Sequence, residues 1–161
     1  MDTRWKPNVT VAGIIEKDGR FLLVEEDTPE GLRLNNPAGH LEIGESPVQA
    51  CIREVLEETA YPFIPSSLLG IYLSRTRHQD KDLTYLRIAF CGQVGNPDSA
   101  RMLDQGIVRA LWLDAQDIRG STALHRSPLV LQCMEDFLLG QRFPLSLVYT
   151  DTSVMNPFTE G

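Results

Sequence analysis

The chain has 161 residues, of which 42% are hydrophobic and 23% charged, as is usual for a globular protein. This length favours one domain spanning residues 1–161, long enough to bury a substantial core. The net charge of −7 argues against a nucleic-acid polymer as partner, because such a partner requires a basic surface that neutralises its phosphates.

Cysteine content and hydropathy predict the cellular compartment. Cys51, Cys91 and Cys133 are odd in number and far apart, which is typical of reduced core thiols in a cytoplasmic protein. Residues 1–8 lack the apolar core of an export signal, and no run approaches the length of a membrane span. We therefore expect a cytoplasmic protein without membrane association.

The first predicted elements are β-strands. Residues 9–16 and 20–25 are rich in β-forming residues and are joined by Asp18-Gly19, a strong hairpin signal. Residues 32–37 then lead into a glycine-containing loop.

A helix is predicted over residues 47–59. Ser46 is suited to the N-cap, Pro47 to the first helical position and Gln49 to a capping box, while Pro62 ends the helix. Apolar residues recur at helical spacing and predict packing on a sheet, with the glutamates facing outward; they are Val48, Cys51, Ile52, Val55 and Thr59.

Later segments continue the alternation of strands and helices. Strands are predicted over 67–75, 83–94 and 108–113. Asp114 is expected to cap a short helix ending at Ile118. Ser127-Pro128 opens a final helix to about Gly140, and its predicted buried stripe is Leu131, Met134, Phe137 and Leu138.

The first long helix carries an acidic stripe. Glu54, Glu57 and Glu58 stand at i, i+3 and i+4, so their like charges repel on one helical face unless a cation lies among them. Carboxylate oxygens are preferred ligands of Mg²⁺ and Mn²⁺. A merely solvated face is the alternative interpretation, but the spacing and the glycine loop before the helix favour a metal site.

The segment GHLEIGESPVQACIREVLEETAY, residues 39–61, resembles the Nudix box, G-x5-E-x7-R-E-U-x-E-E-x-G-U, in which U is bulky and apolar. Seven positions match, namely Gly39, Glu45, Arg53, Glu54, Val55, Glu57 and Glu58. Ala60 and Tyr61 depart from it, standing where the pattern has glycine and an aliphatic residue.

The resemblance extends over nearly the whole chain. Residues 7–12, 36–42, 126–130, 140–145 and the tail 156–161 are similar to the NudJ-type phosphatase subfamily of Nudix hydrolases. This likeness implies an α/β/α sandwich with a mixed sheet and a loop–helix–loop catalytic motif. It also implies Mg²⁺-dependent, or Mn²⁺-dependent, release of orthophosphate from small substrates. We expect a monomer or homodimer, between which the sequence does not distinguish. The implied substrates are nucleoside tri- and diphosphates, hydroxymethylpyrimidine diphosphate and thiamine diphosphate.

The resemblance also implies roles for residues of the box. Glu57 and Glu58 would hold metal, Glu54 would be a base or a further ligand, and Arg53 would orient it. Glu45 would assist a second metal or brace the loop against the helix.

Two ligands are expected outside the helix. The backbone carbonyl of Ala38 is one, as the resemblance implies. Asp104 is the candidate for an acidic ligand from a later loop, with a plain turn residue as the equal alternative.

Substrate contacts are predicted more weakly. Arg33, Arg75, Arg77 and Arg87 could grip phosphate, and His40 could touch it. Tyr72 and Tyr85 are candidates either to stack on a base or to cover the sheet. His78 and His125 are assigned no catalytic role.

Two other functions remain open. One is a pyrophosphohydrolase that cleaves an internal phosphoanhydride, such as an enzyme that removes oxidised nucleotides. The other is a ligand-sensing regulator, which the complete set of glutamates disfavours.

Overall fold

A computed structural model describes residues 3–78 and 80–155, and the side chain of His78 lies outside this description. The similarity noted at 156–161 falls outside the described residues. Seven strands are β1 Asn8–Lys17, β2 Arg20–Thr28, β3 Gly31–Asn35, β4 Ala38–His40, β5 Phe63–His78, β6 Lys81–Val94 and β7 Ile107–Asp114. The helices are α1 Pro47–Thr59, α2 Ala115–Gly120 and α3 Leu129–Leu138, with short 3₁₀ turns at Thr122–Leu124, Leu145–Leu147 and Thr152–Val154.

The strands form one mixed sheet in the order β3-β2-β1-β6-β5, with β4 paired to β1 and β7 paired to β2. β1 and β6 are parallel, and the other pairs are antiparallel. The predicted hairpin is confirmed: Asp18 and Gly19 both have positive φ, at 52° and 78°, as a type I′ turn requires.

The sheet opens into two parts beyond this hairpin. β1 and β2 pair only at Glu16–Phe21 and Lys17–Arg20, next to the turn. Further on, β1 is paired with β4 and β6, whereas β2 is paired with β3 and β7. Residues of both parts line a cavity, together with Leu129 at the start of α3.

Helices cover both faces of the sheet, which confirms the α/β/α sandwich. On one face, Cys51 and Val55 of α1 pack with Val11, Ile15 and Phe90. On the other face, buried residues of α3 pack with Ile14, Leu23, Leu69 and Ala89; these helix residues are Leu129, Val130, Cys133 and Met134. The three cysteines are buried free thiols, as predicted.

Local hydrogen bonds fix the start and end of α1. The Ser46 hydroxyl accepts from the Gln49 amide at 3.1 Å, and the Gln49 side chain accepts from the Ser46 amide at 3.0 Å, so the predicted capping box is confirmed. Ala60 follows the helix in the left-handed region with φ 63°, which explains why the Nudix pattern has glycine there. Tyr61 is accommodated because its hydroxyl accepts from the Trp112 indole at 3.1 Å.

Several predicted details were wrong. The glutamates of α1 were predicted to face outward, but Glu54 and Glu58 are buried. They are only 9% and 7% exposed, because α1 lies against β4. The predicted stripe of α3 is shifted, since Leu138 is 48% exposed whereas Leu129, Val130 and Cys133 are buried.

The strand boundaries also differ from the sequence prediction. β5 begins at Phe63 instead of residue 67, because ladder pairs with β6 extend the strand towards α1. Neither β3 nor β4 was predicted as a strand. Asp114 caps α2 as expected, although that helix continues to Gly120. None of the helices in residues 3–78 and 80–155 is long and apolar enough to cross a membrane.

Candidate active site

Arg53 organises the acidic residues of α1 and of the loop before it. Its guanidinium donates to Glu45 at 2.7 and 3.0 Å, to Glu54 at 2.8 Å and to Glu57 at 3.2 Å. It also donates to the backbone carbonyl of His40 at 3.1 Å. Five charged or polar contacts on one planar group fix the orientation of these carboxylates before substrate arrives.

Three carboxylates converge beside this arginine. One oxygen from each of Glu54, Glu57 and Asp104 lies within 4.8 Å of the other two. The loop carrying Asp104 is attached to the helix, because its backbone N–H donates to the Glu57 carbonyl at 3.0 Å. The structure therefore brings the predicted later-loop acid to the helix residues, and we refer to these three side chains as the acidic cluster.

Glu58 lies next to the acidic cluster but is held differently. It accepts a hydrogen bond from the Ala38 N–H at 2.7 Å. Burial raises the pKa of Glu58 to about 8, against the effect of that hydrogen bond, and the nearby charges of Glu26, Glu54 and Asp104 raise it further.

Two further carboxyl groups of this site, Glu54 and Glu45, have pKa values shifted in opposite directions. Burial raises the pKa of Glu54, while the hydrogen bond and charge of Arg53 oppose that rise. The hydrogen bond from Arg53 holds the pKa of Glu45 below its ordinary value. Glu45 is thus an ion-pair partner of Arg53 and braces the loop, since its other contact is the Glu42 amide at 2.9 Å.

The donor set suits a hard divalent cation. Carboxylate oxygens converge in a partly buried place where their mutual repulsion is high, and such a site is stabilised by Mg²⁺ or Mn²⁺. The first glycine of the motif is explained by the same packing: a Cβ at Gly39 would lie 2.0–2.3 Å from the Glu54 carboxyl atoms. Any larger residue there would displace Glu54.

We expect the metal-free protein to lose stability as the pH rises from about 5 to about 8. Glu58 has a pKa of about 8 in the folded state and an ordinary value of 4.5, so the folded state holds more protons across this interval. The stabilisation is complete below the unfolded pKa and is lost as the pH passes through the folded pKa, by a few kcal/mol.

Urea unfolding in chelator at several pH values measures this effect. Glu58→Gln should flatten the dependence, and Mg²⁺ should oppose it because metal binding favours ionised carboxylates. Stability that stays constant or increases over this interval would contradict the raised pKa.

A cavity of about 540 Å³ adjoins this part of the molecule. Of the predicted substrate contacts, Arg33, His40 and Arg87 line it, as do Arg77 and Tyr85. The prediction for Arg75 does not agree with the structure: its side chain is 69% exposed, pairs with Asp82 and lies outside the cavity lining.

Three further residues of the cavity wall, Glu26, Asn35 and Arg126, were not predicted from the sequence. Glu26 accepts from the Asn35 amide group at 3.2 Å and lies 3.5 Å from the Arg126 guanidinium. Arg126 reaches the cavity because its backbone N–H donates to the Leu34 carbonyl at 2.8 Å. The available signals were the Asn35-Asn36 pair before the Nudix loop and the arginine before the Ser127-Pro128 helix start.

Tyr72 contacts α3, whereas His125 lies in the cavity wall. The Tyr72 hydroxyl donates to Asp136 of α3 at 2.8 Å, so this side chain joins the sheet to the helix. His125 lines the cavity, and burial lowers its pKa.

An open mixed sheet between helices, with a carboxylate cluster on a loop–helix–loop and an adjoining arginine-lined cavity, defines a class of hydrolases that act on phosphoanhydride bonds. The family model described as NUDIX domain matches residues 4–133. The chain belongs to the Nudix family, and it is an enzyme of that hydrolase class.

Individual relatives agree with this assignment. Phosphatase NudJ of Escherichia coli (strain K12) is 34% identical over 157 residues, covering 98% of both chains. A solved NUDIX hydrolase from Nitrosomonas europaea is 53% identical with a TM-score of 0.84, covering 91% of this chain and 98% of that one. A MutT NUDIX hydrolase from Burkholderia pseudomallei is 18% identical with a TM-score of 0.67, covering 82% and 98%, and it shows the fold alone.

Proposed function

We propose that this Nudix hydrolase is a Mg²⁺-dependent phosphatase that releases orthophosphate from nucleoside tri- and diphosphates. We include hydroxymethylpyrimidine diphosphate and thiamine diphosphate among its substrates, and Mn²⁺ as a substitute metal. The likeness to a phosphatase over 98% of both chains supports this proposal. The structural observation that carries it is the acidic cluster beside a cavity lined by arginines.

The proposal also covers the domain organisation, the cellular compartment and the oligomeric state of the enzyme. We infer one domain over residues 1–161, acting in the cytoplasm as a monomer or homodimer on small phosphorylated molecules. Nucleic-acid polymers and membranes are not proposed partners, consistent with the net charge of −7.

The proposed metal ligands are Glu54, Glu57, Glu58 and Asp104, with the Ala38 carbonyl. When bound, Mg²⁺ would neutralise charge on the phosphoryl oxygens and lower the pKa of water. As the alternative to binding metal, Glu54 is the proposed base, because burial makes its carboxylate a better proton acceptor while its hydrogen bond with Arg53 fixes its direction. Glu45 contributes by holding Arg53 from the opposite side.

The proposed substrate contacts are Arg33, His40 and Arg87, to which the structure adds Arg126 as a candidate. Arg75 is not proposed as a contact, because it is paired with Asp82 outside the cavity lining. A phosphate chain lying between the acidic cluster and these arginines would be neutralised along its length.

Cleavage of an internal phosphoanhydride, with release of pyrophosphate, is a second candidate. The observation that favours it is the size and polarity of the cavity, since about 540 Å³ can hold more of a substrate than one terminal phosphate.

We expect a nucleoside triphosphate to yield orthophosphate and nucleoside diphosphate first, and the diphosphate then to yield the monophosphate. A single-turnover experiment with Mg²⁺ that separates orthophosphate from pyrophosphate measures this order. A reaction in chelator is the control. Pyrophosphate with nucleoside monophosphate as first products would replace the proposal by the second candidate.

A further inference from the structure

Arg87 is a buried cation in the wall of the cavity, and it is 5% exposed. Its Nη1 and Nη2 nitrogens donate to the side-chain oxygens of Asn36 at 2.8 Å and Asn35 at 3.2 Å. Nη1 also makes a longer contact of 3.8 Å with the Cys133 sulfur. Within the described part of the chain these are the hydrogen-bond partners of the guanidinium, and all of them are neutral.

The Nε–H group of Arg87 is available to a molecule that enters the cavity. Within residues 3–78 and 80–155, Nε makes no hydrogen bond, although no buried side-chain nitrogen or oxygen of these residues lacks a partner. Nε is therefore accessible to solvent, and the opening that Arg87 lines is the cavity. Because a guanidinium donates hydrogen bonds and cannot accept them, this position favours an acceptor atom.

The strand register places Arg87 on the face of the sheet opposite to Glu54. Arg87 pairs with Thr10 of β1 and contacts α3, so it lies on the α3 face. Gly39 pairs with Val11, the next residue of β1, and therefore lies on the α1 face, against the Glu54 carboxyl group. A substrate with its phosphates at the acidic cluster would reach Arg87 with a part that is remote from those phosphates.

The cavity joins these two positions at β4. Ala38 lines the cavity, and its N–H donates to Glu58 beside the acidic cluster. Arg126 lines the cavity as well as the smaller depression that Glu58 borders. Of the arginines in the cavity wall, Arg126 is thus placed for the phosphate end of a substrate, whereas Arg87 is placed for the other end.

Two aromatic rings share the cavity wall with Arg87. Tyr85 precedes Arg87 by two residues in β6, so both side chains project from the same face. His40 and Arg87 pair with Thr10 from opposite sides, and the ring centroids of His40 and Tyr85 lie 6.4 Å apart. Aromatic side chains stack on the flat rings of bases, and a buried donor beside them can hydrogen-bond to the edge of such a ring.

We propose that Arg87 is a specificity-determining residue that donates a hydrogen bond to a carbonyl group on the heterocyclic ring of the substrate, which stacks on Tyr85. This inference rests on the proposed function, in which the phosphates lie at the acidic cluster. Hypoxanthine and uracil carry a carbonyl group where adenine and cytosine carry an amino group. The amino group would direct its own N–H towards Nε–H, so the carbonyl bases are preferred.

The same contact ranks the proposed diphosphate substrates. Hydroxymethylpyrimidine diphosphate and thiamine diphosphate carry an amino group on the pyrimidine ring. They are therefore weaker substrates than uridine diphosphate, because a site built to donate a hydrogen bond disfavours a ring that offers a donor.

The first test measures kcat/KM of the wild type for inosine against adenosine triphosphate and for uridine against cytidine triphosphate. The carbonyl member of each pair should be favoured about tenfold or more, as expected for one well-placed arginine contact to a base. Chromatography follows consumption of the triphosphate, so the preference is measured whichever phosphoanhydride bond is cut. Equal values within either pair would overturn the proposal.

Arg87→Gln and Arg87→Lys test whether this residue causes the preference. A glutamine amide can donate or accept, so Arg87→Gln should reduce the preference to less than about twofold. A lysine ammonium only donates, so Arg87→Lys should keep the direction of the preference. The control is Arg119→Gln, because Arg119 pairs with Glu135 outside the cavity lining, and it should retain the wild-type preference.

These variants also distinguish recognition of the ring from support of the loop. If Arg87 only holds Asn35 and Asn36 in place before Ala38, Arg87→Gln would lower kcat/KM for all four nucleotides by the same factor. An unchanged ratio within each pair would therefore overturn the proposal.

Tyr85→Leu and Tyr85→Phe test the stacking contact. Tyr85→Leu should raise KM for all four nucleotides about fivefold or more, whereas Tyr85→Phe should retain the wild-type KM because it keeps the aromatic face. An unchanged KM in Tyr85→Leu would show that the ring does not stack on this residue.

A second test uses the wild type without turnover and separates this inference from the proposed function. Inosine and adenosine monophosphates are titrated into the protein in excess chelator, and the inosine compound should bind about tenfold more tightly through the same contact. Equal affinities, or no binding of either compound, would overturn recognition of the ring by Arg87. Release of pyrophosphate from a triphosphate would refute the proposed phosphatase activity alone, because neither ratio depends on which bond is cut.

Discussion

Glu54→Gln is expected to lower kcat at least about a hundredfold, the lower range for loss of a general base. Glutamine has nearly the shape of glutamate and can still accept the hydrogen bond from Arg53. It cannot take a proton from water at neutral pH. The free energy of unfolding should change by less than about 1 kcal/mol, because the replaced carboxyl group is costly to ionise where it is buried.

The matched control is Glu135→Gln, a helical glutamate that pairs with Arg119 away from the acidic cluster. Its kcat should equal that of the wild type. Steady-state kinetics with saturating Mg²⁺ and thermal unfolding of both variants provide the measurements. Near-normal kcat in Glu54→Gln would show that this residue is neither the base nor an essential ligand.

Chelation is expected to abolish hydrolysis, and addition of Mg²⁺ or Mn²⁺ to restore it. The convergence of Glu54, Glu57 and Asp104 gives the reason, since these oxygens are the hard ligands that such ions prefer. Full turnover in excess chelator would refute the proposed metal dependence.

Asp104→Asn tests the ligand contributed by the later loop. It should raise the Mg²⁺ concentration for half-maximal activity by at least about tenfold, because even indirect partners of metal ligands have effects of that size. Asp117→Asn, an exposed substitution in the first turn of α2, is the control. An unchanged Mg²⁺ requirement in Asp104→Asn would restore the interpretation of this residue as a plain turn residue.

Features that depend on neighbours in the chain could be predicted from the sequence. The start of α1 follows from the reciprocal hydrogen bonds of Ser46 and Gln49, and the first hairpin follows from Asp18-Gly19. The spacing of Glu54 and Glu57 places both on one helical face whatever surrounds the helix. The fold was predicted through resemblance, because periodicity alone does not specify the order of strands.

Features that depend on distant residues could not be predicted in this way. The burial of Glu58 results from β4, whose Ala38 N–H approaches the helix from 20 residues earlier in the chain. The arginines illustrate the same limit. Arg75 and Arg87 both lie within β-strands, yet Arg75 pairs with Asp82, whereas Arg87 is buried beside Asn35 and Asn36.

The sequence by itself determined the Nudix motif, the helix that carries it and the type of atom offered to a metal, because short-range hydrogen bonds and helical spacing fix these properties. The tertiary structure decided which carboxylates are buried and which arginines line the cavity. Asp104 shows the difference most clearly: only the hydrogen bond of its backbone to Glu57 reveals that this loop acid lies with the helix residues. Burial and charge neighbours arise from packing between segments far apart in the chain, and they set both the pKa of Glu58 and the shape of the cavity.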